Sequence, residues 1–206
     1  MNYRRVNLMA AVASVCATIL TMTLTPTARA ASPAEAVVRG AIDGVKSLPA
    51  TKGQPDARRK VLDSIDNALA LDLLAKRALG PQWDKLSEAE RRHFVAVFTQ
   101  SIEKIGFPRA AAALSQVKVN YLGSAENKAS TAIVRTTIGR DDGGKVPIDF
   151  TVARRGPRWQ IIDVVMDGQS LPDAVTKRFQ VVMREKGYPK LVEELEKQIA
   201  HADPAS

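Results

Sequence analysis

Apolar residues recur at helical spacing through the first half of the chain, switch to alternation between Val117 and Met166, and return to helical spacing after Gly168. A period that changes from 3.6 to 2 and back predicts helices, then a block of strands, then helices again. Ser32-Pro33-Ala34-Glu35 opens the first helix with a capping serine, a first-turn proline and a glutamate placed to reach back to the cap. Its stripe is Val37, Val38, Ala41, Ile42 and Val45. A polar break from Pro49 to Pro55 precedes a second helical region, with Val61, Leu62, Ile65, Leu69, Leu73 and Leu74 leading to Gly80. This region is expected to divide into two short helices near Asp66 or Asn67.

Ser87-Glu88-Ala89-Glu90 is a capping box for a helix bearing Phe94, Phe98 and Ile102, and Gly106 is expected as its C-terminal cap. Phe107 to Ser115 reads as a further short helical turn. Four strands are then expected, at Val117 to Leu122, Lys128 to Gly139, Lys145 to Arg154 and Arg158 to Met166. Asp141-Asp142-Gly143-Gly144 and Gly156-Pro157 supply two of the turns. Val146, Ile148, Phe150 and Val152 share one face of the third strand, which therefore buries one side. After Gly168, Val175, Phe179 and Met183 make a helical stripe as far as Gly187. Leu191, Val192, Leu195 and Ile199 continue it in a last helix. The predicted fold is α+β, with helices on one face of a curved antiparallel four-stranded sheet enclosing an apolar cavity.

The N-terminus follows a different logic. Arg4 and Arg5 precede an uncharged, mostly apolar stretch from Val6 to Leu24, and Ala28-Arg29-Ala30 places small residues where a signal peptidase reads. Residues 1–30 are therefore expected to be a secretory signal cleaved after Ala30. That leaves a domain over 31–202 and an unstructured tail over 203–206, with the protein in the periplasm. Cys16 is the only cysteine and lies in this leader, so the mature chain has neither a disulfide nor a thiolate. Loss of three arginines lowers the formal charge from +8 to +5, because the leader holds no Asp or Glu. A modest positive balance outside the cytoplasm suits anionic membrane surfaces or an acidic partner, and no nucleic-acid partner is expected.

With 45% apolar and 25% charged residues the chain has ordinary globular composition. Its polar residues form no catalytic constellation. His93 and His201 have no ligand or nucleophile at useful spacing, so no metal site, cofactor or catalytic residue is expected. Asp163 and Asp167 are separated by about 13 Å along a strand, too far to share a proton. Asp163 is expected to accept hydrogen bonds from backbone or arginine, and Asp167 to shape the turn at Gly168. Trp159, Ile161 and Val165 alternate with Ile162, Val164 and Met166, so the last strand is apolar on both faces. Either a central strand or a cavity wall accounts for that.

Leu79-Gly80-Pro81-Gln82-Trp83, Leu86 to Arg91 leading to Phe94 and Phe98, and Trp159-Gln160-Ile161-Ile162-Asp163-Val164 with Asp167-Gly168-Gln169-Ser170-Leu171 carry a family resemblance. From Ala68 to Lys197 the chain resembles the MlaC family, soluble periplasmic phospholipid-binding components of a lipid-transport system of Gram-negative bacteria, to which a hopanoid-associated branch is related. The family commonly has Glu-Gly-Val-Ser where this chain has Asp167 to Ser170, and often an Asn-Tyr-Arg segment where it has Ala174-Val175-Thr176. The resemblance implies a non-enzymatic carrier of phospholipid or a related apolar lipid. It implies as partners an inner-membrane ABC transporter with an MCE-domain component and an outer-membrane lipoprotein complex. Two other readings are an enzyme holding an apolar substrate with Asp149 or Asp163 as base, and a regulatory subunit whose core is filled by its own side chains.

For a lipid carrier the expected site is a pocket of about 1,000 Å³, lined by side chains with few polar anchors. Candidate lining residues are Phe94, Phe98 and Ile102, then Ile148, Phe150 and Val152, then Ile161 and Val165, then Phe179 and Met183. Gln169 is expected at the mouth. The leader generates the first test: N-terminal sequencing of the protein from its native host is expected to begin at Ala31, and a retained Met1 on a membrane-bound protein would refute cleavage.

Overall fold

The computed structural model describes residues 31–128, 130–139 and 143–202. The expected leader and the tail after 202 lie outside the described residues, as do Asp141 and Asp142 of the predicted turn. Among the described residues no helix is long and apolar enough to cross a membrane.

Helix α1 (Pro33–Ser47) begins as its sequence requires, with the Ser32 hydroxyl accepting from the Glu35 amide at 3.1 Å and Pro33 in the first turn. Glu35 does not close the capping box. Its carboxylate takes the Arg39 guanidinium at 2.6 Å instead, and that guanidinium lies 3.6 Å from the centre of the Tyr121 ring. A 3₁₀ turn (Leu48–Thr51) leads into α2 (Pro55–Ala68), and α3 (Leu71–Leu79) follows. The break between α2 and α3 falls at Leu69 and Ala70 rather than at Asp66 or Asn67. Leu69 is extended and bridges to Ile161, the Ala70 amide donates to the Ile161 carbonyl at 3.0 Å, and Gln160 Nε2 donates to the Leu69 carbonyl at 3.1 Å. A tertiary contact with the sheet, invisible to local propensity, sets this boundary.

Helix α4 (Glu88–Ser101) carries the predicted capping box, with Ser87 Oγ accepting from the Glu90 amide at 3.3 Å and Glu90 accepting from the Ser87 amide at 2.8 Å. Gly106 is not its C-cap. The chain continues through a π-helical turn (Ile102–Gly106) directly into α5 (Phe107–Leu114), and Gly106 keeps a right-handed φ of −66°. Such turns insert one residue into the helical ladder and are common at functional sites.

The sheet is an antiparallel meander in the order β1 (Val119–Lys128), β2 (Thr131–Gly139), β3 (Lys145–Arg155), β4 (Arg158–Met166) and a two-residue β5 (Gln169–Ser170). The first strand runs well past the expected Leu122, and β5 adds a short edge. Ala132, Val134, Ile148, Phe150, Val152 and Ile161 form the buried face of the sheet, against which α1 lies. Between β3 and β4 the register passes from Thr151 opposite Asp163 to Val152 opposite Ile161, which leaves Ile162 as a bulge. The Asp167-Gly168 turn, with φ of 49° and 77°, reverses β4 into β5.

Helix α6 (Leu171–His201) is two limbs joined at Gly187, whose φ of 80° and ψ of 173° lie where essentially only glycine is tolerated. Leu191, Val192, Leu195 and Ile199 of the second limb are buried against α3 and α4. Gly187→Ala is therefore expected to destabilise the protein by about 1–3 kcal/mol, read as a lowered midpoint in urea unfolding; an unchanged midpoint would mean that the junction relaxes freely.

Candidate functional site

Among the described residues, buried apolar side chains fall into three clusters. One seats α1 on the sheet, one joins α3, α4 and α6, and one joins α1, α2, the π turn and α5. Where the three meet, the side chains enclose a cavity of about 340 Å³. The first cluster contributes Ala41, Ile42, Ile148, Phe150 and Ile161. The second contributes Leu74, Ala78, Phe98 and Val175, and the third Val45, Ile65 and Phe107. Among the described residues that line it, only Thr136 and Asp163 have polar side chains. Thr136 Oγ1 is satisfied by donating to the Ile148 carbonyl at 2.8 Å.

Asp163 is also satisfied. Arg77 Nη1 donates to one of its oxygens at 3.0 Å and Ser170 Oγ donates to the other at 2.8 Å. The same guanidinium reaches Asp173 at 2.7 Å through Nη2, and Ser170 caps α6 by accepting from the Asp173 amide. One arginine thus ties α3, β4 and the first turn of α6 together. Both carboxylate oxygens of Asp163 are therefore already engaged by donors of the fold. Asp149, the other candidate base, alternates with the inward-facing Ile148 and Phe150, so it lies on the opposite face of the sheet.

The cavity opens where β4 ends and α6 begins. Met166 and Leu171 line it and are nevertheless 39% and 44% exposed. Its volume lies near the lower end of the usual range for ligand sites rather than at the upper end.

Of the sequence candidates, Phe98, Ile102, Ile148, Phe150 and Ile161 line this cavity. Phe94 is fully buried at the centre of an aromatic group, with ring centres 6.0 Å from Phe98, 6.2 Å from Phe179 and 6.3 Å from Tyr188. Phe179 and Met183 belong to that same helical core rather than to the cavity wall. Val152 is buried farther along β3, among the residues that seat α1. Val165 does not line the cavity because the Ile162 bulge reverses the alternation, so that Ile161 is followed by Val164 and Met166 on the wall. Gln169 is exposed and pairs with Met166 in β5, at the edge of the mouth but outside its lining.

Sequence reasoning missed the contributions of α1, α2, α3 and α5, including Ala41, Val45, Ile65, Ala78, Ala110 and Ala113. The available signal was small residues on otherwise apolar helical faces, where the wall stands back from the centre.

Beside the cavity, Asp66 has its carboxyl pushed up to about 7, because it is buried and then because it hydrogen-bonds and faces Glu103. His93 Nε2 lies 3.3 Å from Glu196, and His201 Nδ1 lies 2.6 Å from the Lys197 carbonyl. Among the described residues no group of three or more His, Cys, Asp or Glu side chains is placed to hold a metal ion.

A solved structure described as the phospholipid-binding protein from Ralstonia solanacearum in complex with a phospholipid superposes on this fold with a TM-score of 0.64. It is 22% identical, and the match covers 83% of this chain and 99% of that one, a likeness that concerns the fold. No curated protein sequence matches the chain significantly. The family model described as MlaC protein matches residues 35–197, which span the sheet, the cavity and nearly all of α6, and the chain belongs to the MlaC family.

Proposed function

We propose that the protein is a periplasmic lipid carrier that takes one lipid into the cavity between sheet and helices and passes it between membrane-bound partners. The observation that supports this most is the lining of the cavity. It draws on three separate apolar clusters, and the one carboxylate among its described lining residues is already paired with Arg77. The bound phospholipid named for the Ralstonia protein, which shares the fold, points to the same class of cargo. The partners in this reading are an inner-membrane ABC transporter with an MCE-domain component and an outer-membrane lipoprotein complex. The leader over residues 1–30 would deliver the mature chain to the space between them.

The energetics suit exchange rather than capture. Burying an acyl chain is worth about 0.8 kcal/mol per methylene, so a chain of roughly sixteen carbons represents about 12 kcal/mol. A bilayer offers the same. A carrier needs only to match that environment, and a lining without strong polar anchors does so. Because the space of about 340 Å³ is about a third of the roughly 1,000 Å³ at the upper end of the usual range for ligand sites, a diacyl lipid would enter only as the walls part. The rim near Met166 and Leu171, with exposed apolar side chains on both sides, is where the acyl chains would pass.

The alternative of a regulatory subunit with a self-filled core fits less well, since the side chains leave this space at the junction of all three clusters. Gly106 gives a discriminating test. Its backbone is right-handed and helical, and a Cβ placed there meets only the Ile102 side chain at 3.6 Å, an ordinary contact. Gly106→Leu is thus expected to fold with stability unchanged or raised by up to about 1 kcal/mol while its side chain occupies the cavity. Organic extraction of natively purified protein followed by mass spectrometry is expected to find stoichiometric lipid in the wild type and several-fold less in the variant. Wild-type protein without lipid would overturn the carrier reading.

A further inference from the structure

Two acidic side chains meet at the wall of the cavity. Asp66 is near the end of α2, directly after the wall residue Ile65, and Glu103 is in the π turn, directly after the wall residue Ile102. Their side chains are only 19% and 15% exposed. Asp66 Oδ1 is buried with no hydrogen-bond partner among the described residues, as expected for an oxygen that carries or shares a proton. The charged groups facing Asp66 are Arg59 and Asp63 from its own helix and Glu103 from the π turn. Arg59 donates to Asp63 through Nε at 2.8 Å and through Nη2, gives Glu103 a longer hydrogen bond from Nη1 at 3.4 Å, and stands 3.8 Å from Asp66.

One guanidinium therefore serves three carboxyl groups. Ionising all three leaves uncompensated negative charge in a half-buried site, and like charges that close cannot both ionise cheaply. With one proton retained, Asp66 and Glu103 attract each other across the seam. With none, they repel. The seam joins α2 to the one stretch of the wall built on π-helical hydrogen bonds, where the Phe107 amide reaches back to Ile102. That stretch is a segment of irregular ladder, easier to displace than the α-helical walls.

We propose that Asp66 and Glu103 form a proton-operated clasp in the cavity wall, closed while they share a proton and released when both are ionised, so that cargo exchanges faster in alkaline than in acidic medium. The consequence for cargo rests on the carrier reading; the clasp itself is a property of the fold. The direction follows from linkage. An aspartate that ordinarily ionises near 3.8 but holds its proton to about 7 here gives the folded state an extra proton between those limits. Stability therefore falls as pH rises through that window and levels off above it.

The test has two arms on the mature protein at about pH 5.5 and about pH 8, on either side of that transition. Hydrogen exchange, corrected for the intrinsic pH effect, reads the amides of Ile102 to Gly106. Transfer of a pyrene-labelled phosphatidylglycerol from the loaded protein to phosphatidylcholine vesicles reads exchange. In the wild type, protection of these amides is expected to fall and transfer to quicken by on the order of ten-fold at the higher pH, as for a contact that changes by about 1.4 kcal/mol. Asp66→Asn and Glu103→Gln each keep a neutral partner and are expected to stay protected and slow at both values. Equal wild-type protection at both values, or pH dependence retained in both variants, would overturn the clasp. Failure of the protein to take up labelled lipid would count against the carrier reading alone, because the protection arm decides the clasp without cargo.

Discussion

A domain that surrounds a space with apolar side chains gives up packing at the place where most domains of its size are densest. At roughly 24 cal/mol per Å³, a space of about 340 Å³ corresponds to on the order of 8 kcal/mol. That is comparable with the whole stability of an ordinary domain, about 5–15 kcal/mol. The fold meets this constraint by dividing its core in three. Phe94 and its aromatic neighbours pack α4 against α6, Val134 and Val152 seat α1 on the sheet, and Leu48, Ile65 and Phe107 hold α1, α2 and α5 together. Each cluster gives part of its residues to the cavity and keeps the rest for its own packing. An apolar occupant restores the missing contacts, which links cargo binding to stability without any polar recognition.

Polar interactions then hold the three clusters in register. Arg77 joins α3 to β4 and to the cap of α6, and Gln160 fixes the extended link between α2 and α3 by donating to the carbonyls of Asn67 and Leu69. These ties sit at the boundaries between clusters, where apolar packing is interrupted. The Asp66 and Glu103 pair lies within the third cluster instead, between α2 and the π turn. Arg77 brings a cation to carboxylates that need it, whereas Arg59 is shared among too many. The Arg77 tie is thus one cation set between two carboxylates, whereas in the proposed clasp the Asp66 and Glu103 pair holds together through a retained proton.

The order of helices and strands was legible because each period persisted over enough residues to be unambiguous, as in the alternation from Val146 to Val152 or the capping box at Ser87. The errors fall where a distant contact decides a local matter. Leu69 leaves the helix because Ile161 offers it a bridge, and Gly106 stays helical because the ladder shifts to π spacing rather than ending. Neither event has a signature within its own few residues. The Ile162 bulge is similar: strict alternation puts Ile161 and Val165 on one face, whereas one extra residue puts Ile161, Val164 and Met166 there.

The cavity was harder to read than the fold for a reason that applies to any carrier of this design. Periodicity identifies which side chains turn inward, but an inward side chain packs a core or walls a space according to what stands opposite, which the sequence does not record. Phe94 and Phe98 lie one helical turn apart on the same stripe, and only Phe98 reaches the cavity, since Phe179 and Tyr188 close around Phe94. Size is the more informative clue. Ala41, Ala78, Ala110 and Ala113 line the cavity from three helices, small residues on faces that also carry larger apolar ones. Alanines at lining positions on neighbouring helices mark space that the protein's own side chains leave unfilled, and in the proposed carrier it is that unfilled space, more than any polar motif, that would receive an acyl chain.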